Sequence, residues 1–433
     1  MKRLTKILPV CGVLVLAATG LVACGGDNGG QQGGGGSSSG ELELEVSTPS
    51  AQSDWYKTIL AEYNTQREAE GKAKIKFTFV VHEENVLQTE VTDWAKGPDL
   101  FSYVGDQTNT LYLKRALATI PEEYQAAIKA ENGTEEVATY ATYVNKMIGY
   151  PYAADNGYFL YYDKDVLNEN DVKTWDGIMA KATEERQFGY DAGNAWISMG
   201  ALFTFGADYQ VKFTKQGNIS SVNASFNTAE GLKAAKFLKK YYEDKASLKN
   251  LTTAAERAPT AANALCATIA GSHCLAGFKR QLGDKLGMAK LPTITVGGVT
   301  KTLGSFLGYK LFGVNNAKGD ADKKALAHEV ARYLTSADVQ EKRFQEFSVM
   351  PSIKTLQQKP AVLEDAHVLA IKDQVAANAA HPQTTVPGKC WEAPNTFTTA
   401  ISAKVDDNAA AEMTDAWLQE QLEIMNDSIK ASK

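Results

Sequence analysis

The sequence predicts an α/β fold with more than one domain. Short apolar runs alternate with segments of helical periodicity along the chain, which is typical of α/β proteins. The composition, 44% hydrophobic and 22% charged, is that of an ordinary globular protein. The 393 residues from Glu41 to Lys433 exceed what one hydrophobic core usually serves, so two domains are expected.

Residues 1–23 predict a secretory signal. A basic start, MKRLTK, is followed by the apolar stretch ILPVCGVLVLAATGLVA. A membrane-spanning helix needs about 20 uninterrupted apolar residues, and Pro9 and Gly12 interrupt this stretch. An exported protein is therefore favoured over one that keeps this segment as an anchor helix.

Cys24 lies between the signal and a spacer of small polar residues. Residues 21–24, LVAC, resemble the bacterial lipobox, which implies that Cys24 carries a diacylglycerol and becomes the first mature residue. Each buried acyl methylene contributes about 0.8 kcal/mol to membrane binding. Residues 25–40 contain no apolar side chain and predict a flexible linker with a reach of roughly 20 to 25 Å. An unmodified cysteine in an ordinary signal is the alternative interpretation.

The charge balance excludes one class of partner. Without Lys2, Arg3 and Lys6, 42 Lys and Arg residues face 51 Asp and Glu residues, a formal charge of -9. No basic stripe interrupts this acidic composition. Nucleic-acid binding is therefore not expected.

The remaining cysteines and histidines give no metal-binding spacing. Cys266, Cys274 and Cys390 allow either one disulfide with one free thiol or three unpaired thiols, and the sequence does not decide between them. No C-x-x-C or H-x-x-x-H spacing occurs, and only His273 lies beside a thiol. Neither a metal site nor a cofactor is predicted.

The predicted elements follow a strand–helix–strand order that is typical of βαβ units and a parallel sheet with helices on both sides. The predicted strands are 42–46, 74–81, 98–104, a strand ending at 152, 265–271 and 309–314. The predicted helices are 55–70, 86–94, 175–185, 229–243, 322–334 and 409–430. In the first helix Ile59, Leu60 and Tyr63 share one face, which we expect to be buried.

Polar and aromatic side chains recur in the loops after three predicted strands. In open α/β sheets, ligands bind beyond the carboxyl ends of the strands. The candidate binding residues in these loops are Gln52, Asp54, Trp55, Tyr103, Asp106, Gln107, Asp155 and Asn156. Carboxylates and amides bind vicinal hydroxyls and aromatic faces stack on pyranose rings, so the recurrence indicates a sugar site. Helix capping and cover of a core edge are the alternative roles.

Longer segments resemble the extracellular solute-binding proteins of ABC importers, in the maltose and maltodextrin branch. The resemblance is carried by GYPYAADNGYFLYYDKDVLNE (149–169), KTWDGIMAKATEE (173–185), GPDLFSYVGDQTNTLYLKRALATI (97–120), NAWISMGALFTFGADY (194–209), LGSFLGYKLFGVN (303–315) and PGKCWEAPNTFTTAI (387–401). These segments occur in the family's order along nearly the whole mature chain.

The resemblance implies a two-lobed periplasmic-binding-protein-like fold with hinge strands and a central ligand cleft. The N-terminal lobe would comprise 41–153 and 308–350, and the C-terminal lobe 154–307 and 351–433. The family implies a monomeric, non-enzymatic protein, held at the extracellular face of the membrane by lipid only, that delivers its ligand to ABC permease subunits.

Individual residues carry over from the family unevenly. By resemblance, Asp106 is an acidic ligand of sugar hydroxyls, Tyr103 an aromatic that stacks, and either Asp155 or Asn156 an acidic cleft position. Gln107 stands where some members have arginine.

Aromatic positions of the second lobe carry over in the same way. Trp196 and Trp391 resemble aromatic platforms. Tyr309 lies on a hinge strand, where a packing role is equally compatible. His273 stands where relatives often have tryptophan, so the resemblance does not fix which glycan binds.

The predicted function is reversible binding of an α-1,4-glucan. A binding protein for another oligosaccharide, a peptide or a polyamine is one alternative. A secreted glycoside hydrolase using Asp106 and Asp155 is another, since such enzymes need two carboxylates about 5 to 10 Å apart. A structural surface lipoprotein without a cleft is the third.

Overall fold

A mixed sheet of ten strands organises the protein in the computed structural model, which describes residues 42–432. Eight strands follow the order β10-β7-β11-β6-β15-β3-β1-β2, while β12 pairs with β6 and β16 with β15. Three two-stranded sheets, β4-β5, β8-β9 and β13-β14, complete the strands of the described residues. The strands are β1 Leu42–Thr48, β2 Ile75–Val81, β3 Leu100–Val104, β4 Thr142–Tyr143, β5 Lys146–Met147, β6 Tyr150–Asp163, β7 Gln187–Gly189, β8 Tyr209–Phe213, β9 Ile219–Ala224, β10 Leu251–Thr252, β11 Leu265–Gly271, β12 Leu286–Ala289, β13 Thr293–Val296, β14 Val299–Thr302, β15 Ser305–Val314 and β16 Ala380–Pro382.

Helices connect most of these strands. They are α1 Ser53–Ala69, α2 Leu87–Glu90, α3 Thr108–Leu113, α4 Glu122–Asn132, α5 Thr134–Glu136, α6 Trp175–Met179, α7 Ala195–Phe203, α8 Ala229–Leu248, α9 Leu275–Leu282, α10 Ala321–Leu334, α11 Ala337–Phe347, α12 Pro360–Leu363, α13 Ala366–Ala376, α14 Lys389–Asp406 and α15 Asp415–Lys430. No helix within 42–432 is both long and apolar enough to cross a bilayer.

The N-terminal part of the sheet confirms the predicted βαβ order. Strand β1 pairs in parallel with β2 and with β3, and α1 connects β1 to β2. The α1 face predicted from periodicity is buried, since Ile59, Leu60 and Tyr63 are at most 7% exposed. The sheet as a whole is not parallel, however, because β15 runs antiparallel to both β3 and β6.

Two strands join two large hydrophobic cores. The first core contains residues of β1, β3 and α1, and the second contains residues of α7, α8, α14 and α15. Strand β6 contributes Tyr152 to the first core and Tyr158 to the second, and β15 contributes Phe312 to the first and Phe306 to the second. The described residues nevertheless form one compact unit, so the lobe boundaries at 153/154, 307/308 and 350/351 remain predictions.

Three predicted elements differ from the structure. The predicted loop 153–157 is part of β6, whose fourteen residues are all buried. Its Asp-Asn-Gly sequence is typical of a turn, but pairing with β15 and packing on both faces override that local preference. The helix predicted at 86–94 shortens to Leu87–Glu90, and the one predicted at 175–185 ends at Met179.

Candidate functional site

One glutamine gathers three predicted site residues. The Gln383 Nε2 group donates to Asp106 Oδ1 at 3.0 Å, and Gln383 Oε1 accepts from Asn156 Nδ2 at 3.1 Å and from Trp196 Nε1 at 3.0 Å. We call these four residues the Gln383 hub. Gln383 is 4% exposed, and these three bonds hold its buried amide in place.

Backbone geometry brings Gln383 to this position. Gln383 directly follows β16, which pairs in parallel with the start of β15, and its N–H donates to the Leu307 carbonyl at 2.9 Å. Gly308 makes the close approach possible: a Cβ at that position would lie 2.9 Å from the Gln383 carbonyl oxygen. Any side chain larger than hydrogen at 308 would push the glutamine away.

The hub lies between the two cores. Asp106 sits in the turn Gly105–Gln107 directly after β3, a strand of the first core. Trp196 sits in the first turn of α7 and packs against the second core, with its backbone N–H bonded to Asn194 Oδ1, the N-cap side chain. The hub therefore connects groups that belong to different cores, as a cleft site must.

The two predicted platforms, Trp196 of the hub and Trp391, both pack against the second core. Trp196 is half-buried, with its ring edge-to-face with Tyr158 at 4.8 Å and stacked at 28° with His273 at 6.4 Å. Trp391, also half-buried, packs at 5.9 Å from Phe306. Both tryptophans retain some exposed surface, which a stacking platform requires.

Asp106 has an unusual protonation equilibrium. Burial raises its pKa, and the bonds from its own backbone N–H and from Gln383 lower it only in part, so that the pKa is about 7. A carboxyl group with this pKa changes charge near neutral pH. Its hydrogen-bonding character therefore changes with pH near neutrality.

Asp155 and Asn156 have different partners in the structure, a difference that the sequence does not predict. Asp155 is 2% exposed and its Oδ2 accepts from the Met350 N–H at 3.1 Å, with His367 Nε2 at 3.5 Å. Burial raises the Asp155 pKa, but the effect of His367 and Lys310, which lower it, is larger. The pKa therefore lies below its usual value. Asp155 thus fastens β6 to the chain at Met350, whereas Asn156 reaches the hub.

Three other predicted residues are occupied elsewhere. Tyr103 is 0% exposed in the first core, so the expected stacking face is covered by packing. Gln107 is buried, and its Nε2 donates to the Glu84 carbonyl at 2.8 Å. Tyr309 stacks on Tyr140 at 4.4 Å, so one of its faces is already covered.

The predicted site residues in the loop after β1 contact groups outside the hub. The Asp54 side chain is 96% exposed and pairs with Lys57 at 2.7 Å. Trp55 lies against Arg343, whose guanidinium carbon is 4.8 Å from the ring centre. Gln52, half-buried, belongs to the short turn that precedes α1. A ligand role for these three residues stays a prediction.

A buried charge cluster, formed by Glu84, Tyr152, Lys310 and Arg343, was not anticipated from the sequence. Lys310 Nζ lies 3.3 Å from Glu84 Oε2, both side chains are 9% exposed, and the Tyr152 hydroxyl donates to Glu84 Oε1. Arg343 is fully buried against the Trp55, Tyr56 and Tyr152 rings. Single charged residues far apart in sequence carry no signal that they will meet in this way.

A hairpin also bridges the two cores. The turn between β8 and β9 places the Gly217 carbonyl 2.7 Å from the Tyr143 hydroxyl and 3.0 Å from Asn109 Nδ2, which both donate to it. Tyr143 belongs to the first core, while Tyr209 and Val222 of the hairpin belong to the second. This contact, which we call the hairpin clasp, ties the cores together at a second place.

A small cavity adjoins the chain just before the hub. Its volume is about 130 Å³, and it is lined by Phe203, Thr204, 206–208, Gly304 and 378–381. His381, two residues before Gln383, stacks on Phe203 at 3.9 Å and lies 3.6 Å from Asp208. Burial lowers the His381 pKa more than Asp208 raises it. Neither His381 nor Asp208 is a site residue predicted from the sequence.

The three cysteines within the described residues are free thiols. Cys266 and Cys390 are buried, and Cys274 is half-buried. Of the two alternatives that the sequence left open, the structure therefore has three unpaired thiols. Cys24 lies outside the described residues.

Comparison with known proteins places these features in context. A family model described as "Bacterial extracellular solute-binding protein" matches residues 61–370. A galactooligosaccharide-binding protein of Bacillus subtilis (strain 168) is 22% identical over 94% of this chain and 95% of its own length.

Solved structures resemble the whole described fold. One solved with acarbose has a TM-score of 0.75 at 23% identity, covering 91% of this chain and 100% of the other. The ligand-free maltodextrin binding protein from L. casei BL23 has a TM-score of 0.70 at 22% identity, covering 90% and 99%. The maltotriose binding protein of Thermus thermophilus, bound with maltotriose, has a TM-score of 0.67 at 18% identity, covering 90% and 99%. The predicted fold class, α/β with two lobes, is thereby confirmed.

Proposed function

This chain belongs to the bacterial extracellular solute-binding proteins, and we propose that it captures a linear α-1,4-glucan, such as maltose or a maltodextrin, between its two cores. The single observation that carries the proposal is the Gln383 hub. Through the Gln383 amide it joins a carboxyl group beside the first core to an aromatic platform of the second, and the Asn156 amide donates to the same glutamine oxygen.

The chemistry of the hub suits a sugar. Carboxylate and amide groups exchange hydrogen bonds with hydroxyls in both directions, and the Trp196 ring offers an apolar face for a pyranose. The four residues hydrogen-bond one another, so a sugar that binds to the hub must replace these bonds with its own. Such an exchange gives modest net energies, about 0.5 to 1.5 kcal/mol for each hydrogen bond and a similar amount for each stacked ring. Several of them together give micromolar affinity.

Binding is coupled to closure of the two lobes. A sugar that contacts Asp106 and Trp196 touches both cores, so it favours the arrangement in which the cores are close. The closed, loaded protein then docks on ABC permease subunits. A lipid on Cys24 and the linker 25–40 keep the protein at the extracellular face of the membrane.

A different oligosaccharide is the second candidate. The relative from Bacillus subtilis is named for galactooligosaccharides. His273 stacks beside Trp196, at a position where the family resemblance implies a tryptophan. A smaller polar ring at this position would alter which sugar face stacks.

The hydrolase alternative has less support. Asp155, one of its two carboxylates, already accepts from the Met350 N–H and is 2% exposed. A buried carboxylate engaged with the backbone is poorly placed to attack or protonate a substrate. The family match also points to binding proteins.

Calorimetry with a panel of sugars tests the proposal. We expect maltotriose to bind with micromolar affinity, and Trp196→Ala to weaken binding about 10-fold, which corresponds to about 1.4 kcal/mol. Trp417→Ala, a half-buried tryptophan on α15, is the matched control and should leave affinity unchanged. The panel also contains maltose, a galactooligosaccharide, a xylooligosaccharide and raffinose.

The outcomes distinguish the alternatives. Heat from the galactooligosaccharide alone would overturn the α-1,4-glucan assignment in favour of the second candidate. Glucose released from maltotriose during incubation would contradict reversible binding. If no sugar gave heat, the binding function itself would be wrong.

A further inference from the structure

Three metal-ligating side chains of different chemistry meet beside Trp196. The ligand atoms of Glu256, His273 and Cys274 all lie within 4.8 Å of one another, and within the described residues no other group of three or more such side chains does so. His273 Nε2 is already 3.3 Å from Glu256 Oε1. The Cys274 thiol donates to the Glu256 backbone carbonyl at 4.0 Å, which keeps the sulfur beside the other two groups.

The fold holds this group in place. His273 and Cys274 form the turn directly after β11, just before α9. A Cβ on Gly271 would lie 2.4 Å from His273 Nδ1 and 3.0 Å from the Trp196 ring, so the absence of a side chain lets both rings lie over this residue. Glu256 adopts a φ of 59°, which is unusual for a residue other than glycine.

We propose that Glu256, His273 and Cys274 form a binding site for a divalent transition metal of the zinc class. Thiolate, imidazole and carboxylate are the ligands that zinc takes in proteins, with bonds of about 2.0 to 2.3 Å. Bonds of that length in a tetrahedron leave ligand atoms about 3.3 to 3.8 Å apart. The His273–Glu256 pair has this spacing, and the sulfur needs to approach by about 1 Å.

The exposure of the side chains fits reversible metal binding. His273 and Glu256 are 57% and 40% exposed, so an ion reaches them from solvent and small rotations complete the geometry. Three protein ligands leave one coordination position for water or another small ligand. The thiolate excludes Mg²⁺ and Ca²⁺ as preferred occupants, because these ions select oxygen ligands.

The sequence does not predict this site, because its third ligand is far from the other two along the chain. Glu256 lies seventeen residues before His273, outside any short metal-binding spacing. The proposal does not depend on which sugar binds, and its test needs no sugar.

Titration of the full, chelator-treated and reduced protein with Co²⁺ tests the site. Cobalt replaces zinc and, when bound to a thiolate, gives a strong near-ultraviolet charge-transfer absorption. We expect one Co²⁺ per chain, this absorption, and its disappearance when Zn²⁺ is added. Cys274→Ser should abolish the absorption, and His273→Gln should weaken Co²⁺ binding by about 10-fold or more.

A matched control is available elsewhere on the surface. His82 Nδ1 lies 2.8 Å from Glu90 Oε2 in a pair without a thiol, so His82→Gln should leave Co²⁺ binding unchanged. Circular dichroism melting confirms that each variant is folded. The proposal is overturned if the parent gives no charge-transfer absorption, if Cys274→Ser retains it, or if His82→Gln weakens binding as much as His273→Gln.

Discussion

The side chains of Gln383 and Asp106, 277 positions apart in sequence, are joined by a hydrogen bond of 3.0 Å. The same glutamine accepts from Trp196, which packs on the other core. This bond is therefore a direct polar link across the region where the sugar is proposed to bind. The consequences of removing it, and of changing the charge of Asp106, can be measured.

Removal of the Gln383 amide should weaken sugar binding. Gln383→Ala leaves the Trp196 and Asn156 donors without their acceptor and disorders the groups that meet the sugar. We expect maltotriose affinity to fall about 10- to 100-fold, or about 1.4 to 2.8 kcal/mol. Calorimetry measures this loss. Gln419→Ala on α15, which removes a glutamine bonded to the Asn227 carbonyl, is the control. Unchanged affinity in Gln383→Ala would show that the hub does not organise the site.

Sugar affinity should rise with pH up to about 7. The Asp106 pKa of about 7 means that the group is neutral below this pH, whereas the ionised group accepts sugar hydroxyls best. Binding to the ionised form lowers its pKa, so affinity should increase up to 10-fold per pH unit between about 5 and 7 and then level off. Calorimetry at several pH values should show this rise in the parent and in Asp415→Asn, which changes an exposed carboxylate on α15, but not in Asp106→Asn. A flat profile in the parent would contradict the prediction.

The same group affects stability with the opposite trend. Because its folded pKa lies above the ordinary value of 3.8, the folded protein holds this proton more tightly than the unfolded chain does. The contribution of Asp106 to the free energy of unfolding is therefore largest below about pH 4 and is lost as pH rises to about 7. Asp106→Asn should remove this component of the pH dependence in denaturant unfolding.

Loosening the hairpin clasp should expose the hairpin. Tyr143→Phe removes the hydroxyl that donates to the Gly217 carbonyl, with a loss of about 0.5 to 1.5 kcal/mol. We expect faster amide hydrogen exchange in β8 and β9. The control is Tyr112→Phe, since Tyr112 packs against Tyr143 but has no hydroxyl hydrogen bond within residues 42–432. Exchange that accelerates equally in both variants would mean that ring packing, not the hydrogen bond, holds the clasp.

Breaking the buried ion pair should destabilise the fold strongly. Lys310→Met leaves the Glu84 carboxylate buried without its cation, which costs about 3 to 5 kcal/mol. Adding Glu84→Gln should recover part of this loss, because the uncompensated charge is removed. Lys57→Met breaks the exposed pair with Asp54 and should cost at most about 1 kcal/mol. Free energies of unfolding in urea provide the comparison, and equal losses for the two lysines would refute it.

Hydrophobic periodicity predicts those helices and strands that bury one apolar face. The predicted buried face of α1 and the predicted strands β1 to β3 agree with the structure. It failed for β6, where the turn-like Asp155, Asn156 and Gly157 continue a buried strand. Long-range pairing with β15 and β11 determines this strand, and no local pattern records such pairing.

The residues of the candidate site are likewise predictable from the sequence only in part. Asp106, Asn156 and Trp196 are predicted site residues from their positions after strands or from family resemblance, whereas Gln383 is not predicted because a glutamine in HPQTTV carries no local signal. Tyr103 was expected to present a free face, but the first core covers it. Burial of a given aromatic depends on what folds over it.

The α/β class, the family and the order of most elements can be predicted from the sequence, because hydrophobic periodicity and long matching segments record them locally. Three arrangements cannot be predicted in this way: Gln383 joins Asp106 to Trp196, Asp155 binds the backbone while Asn156 binds Gln383, and Glu256 lies beside His273 and Cys274. These outcomes rest on contacts between residues distant along the chain, and chain folding alone brings such residues together.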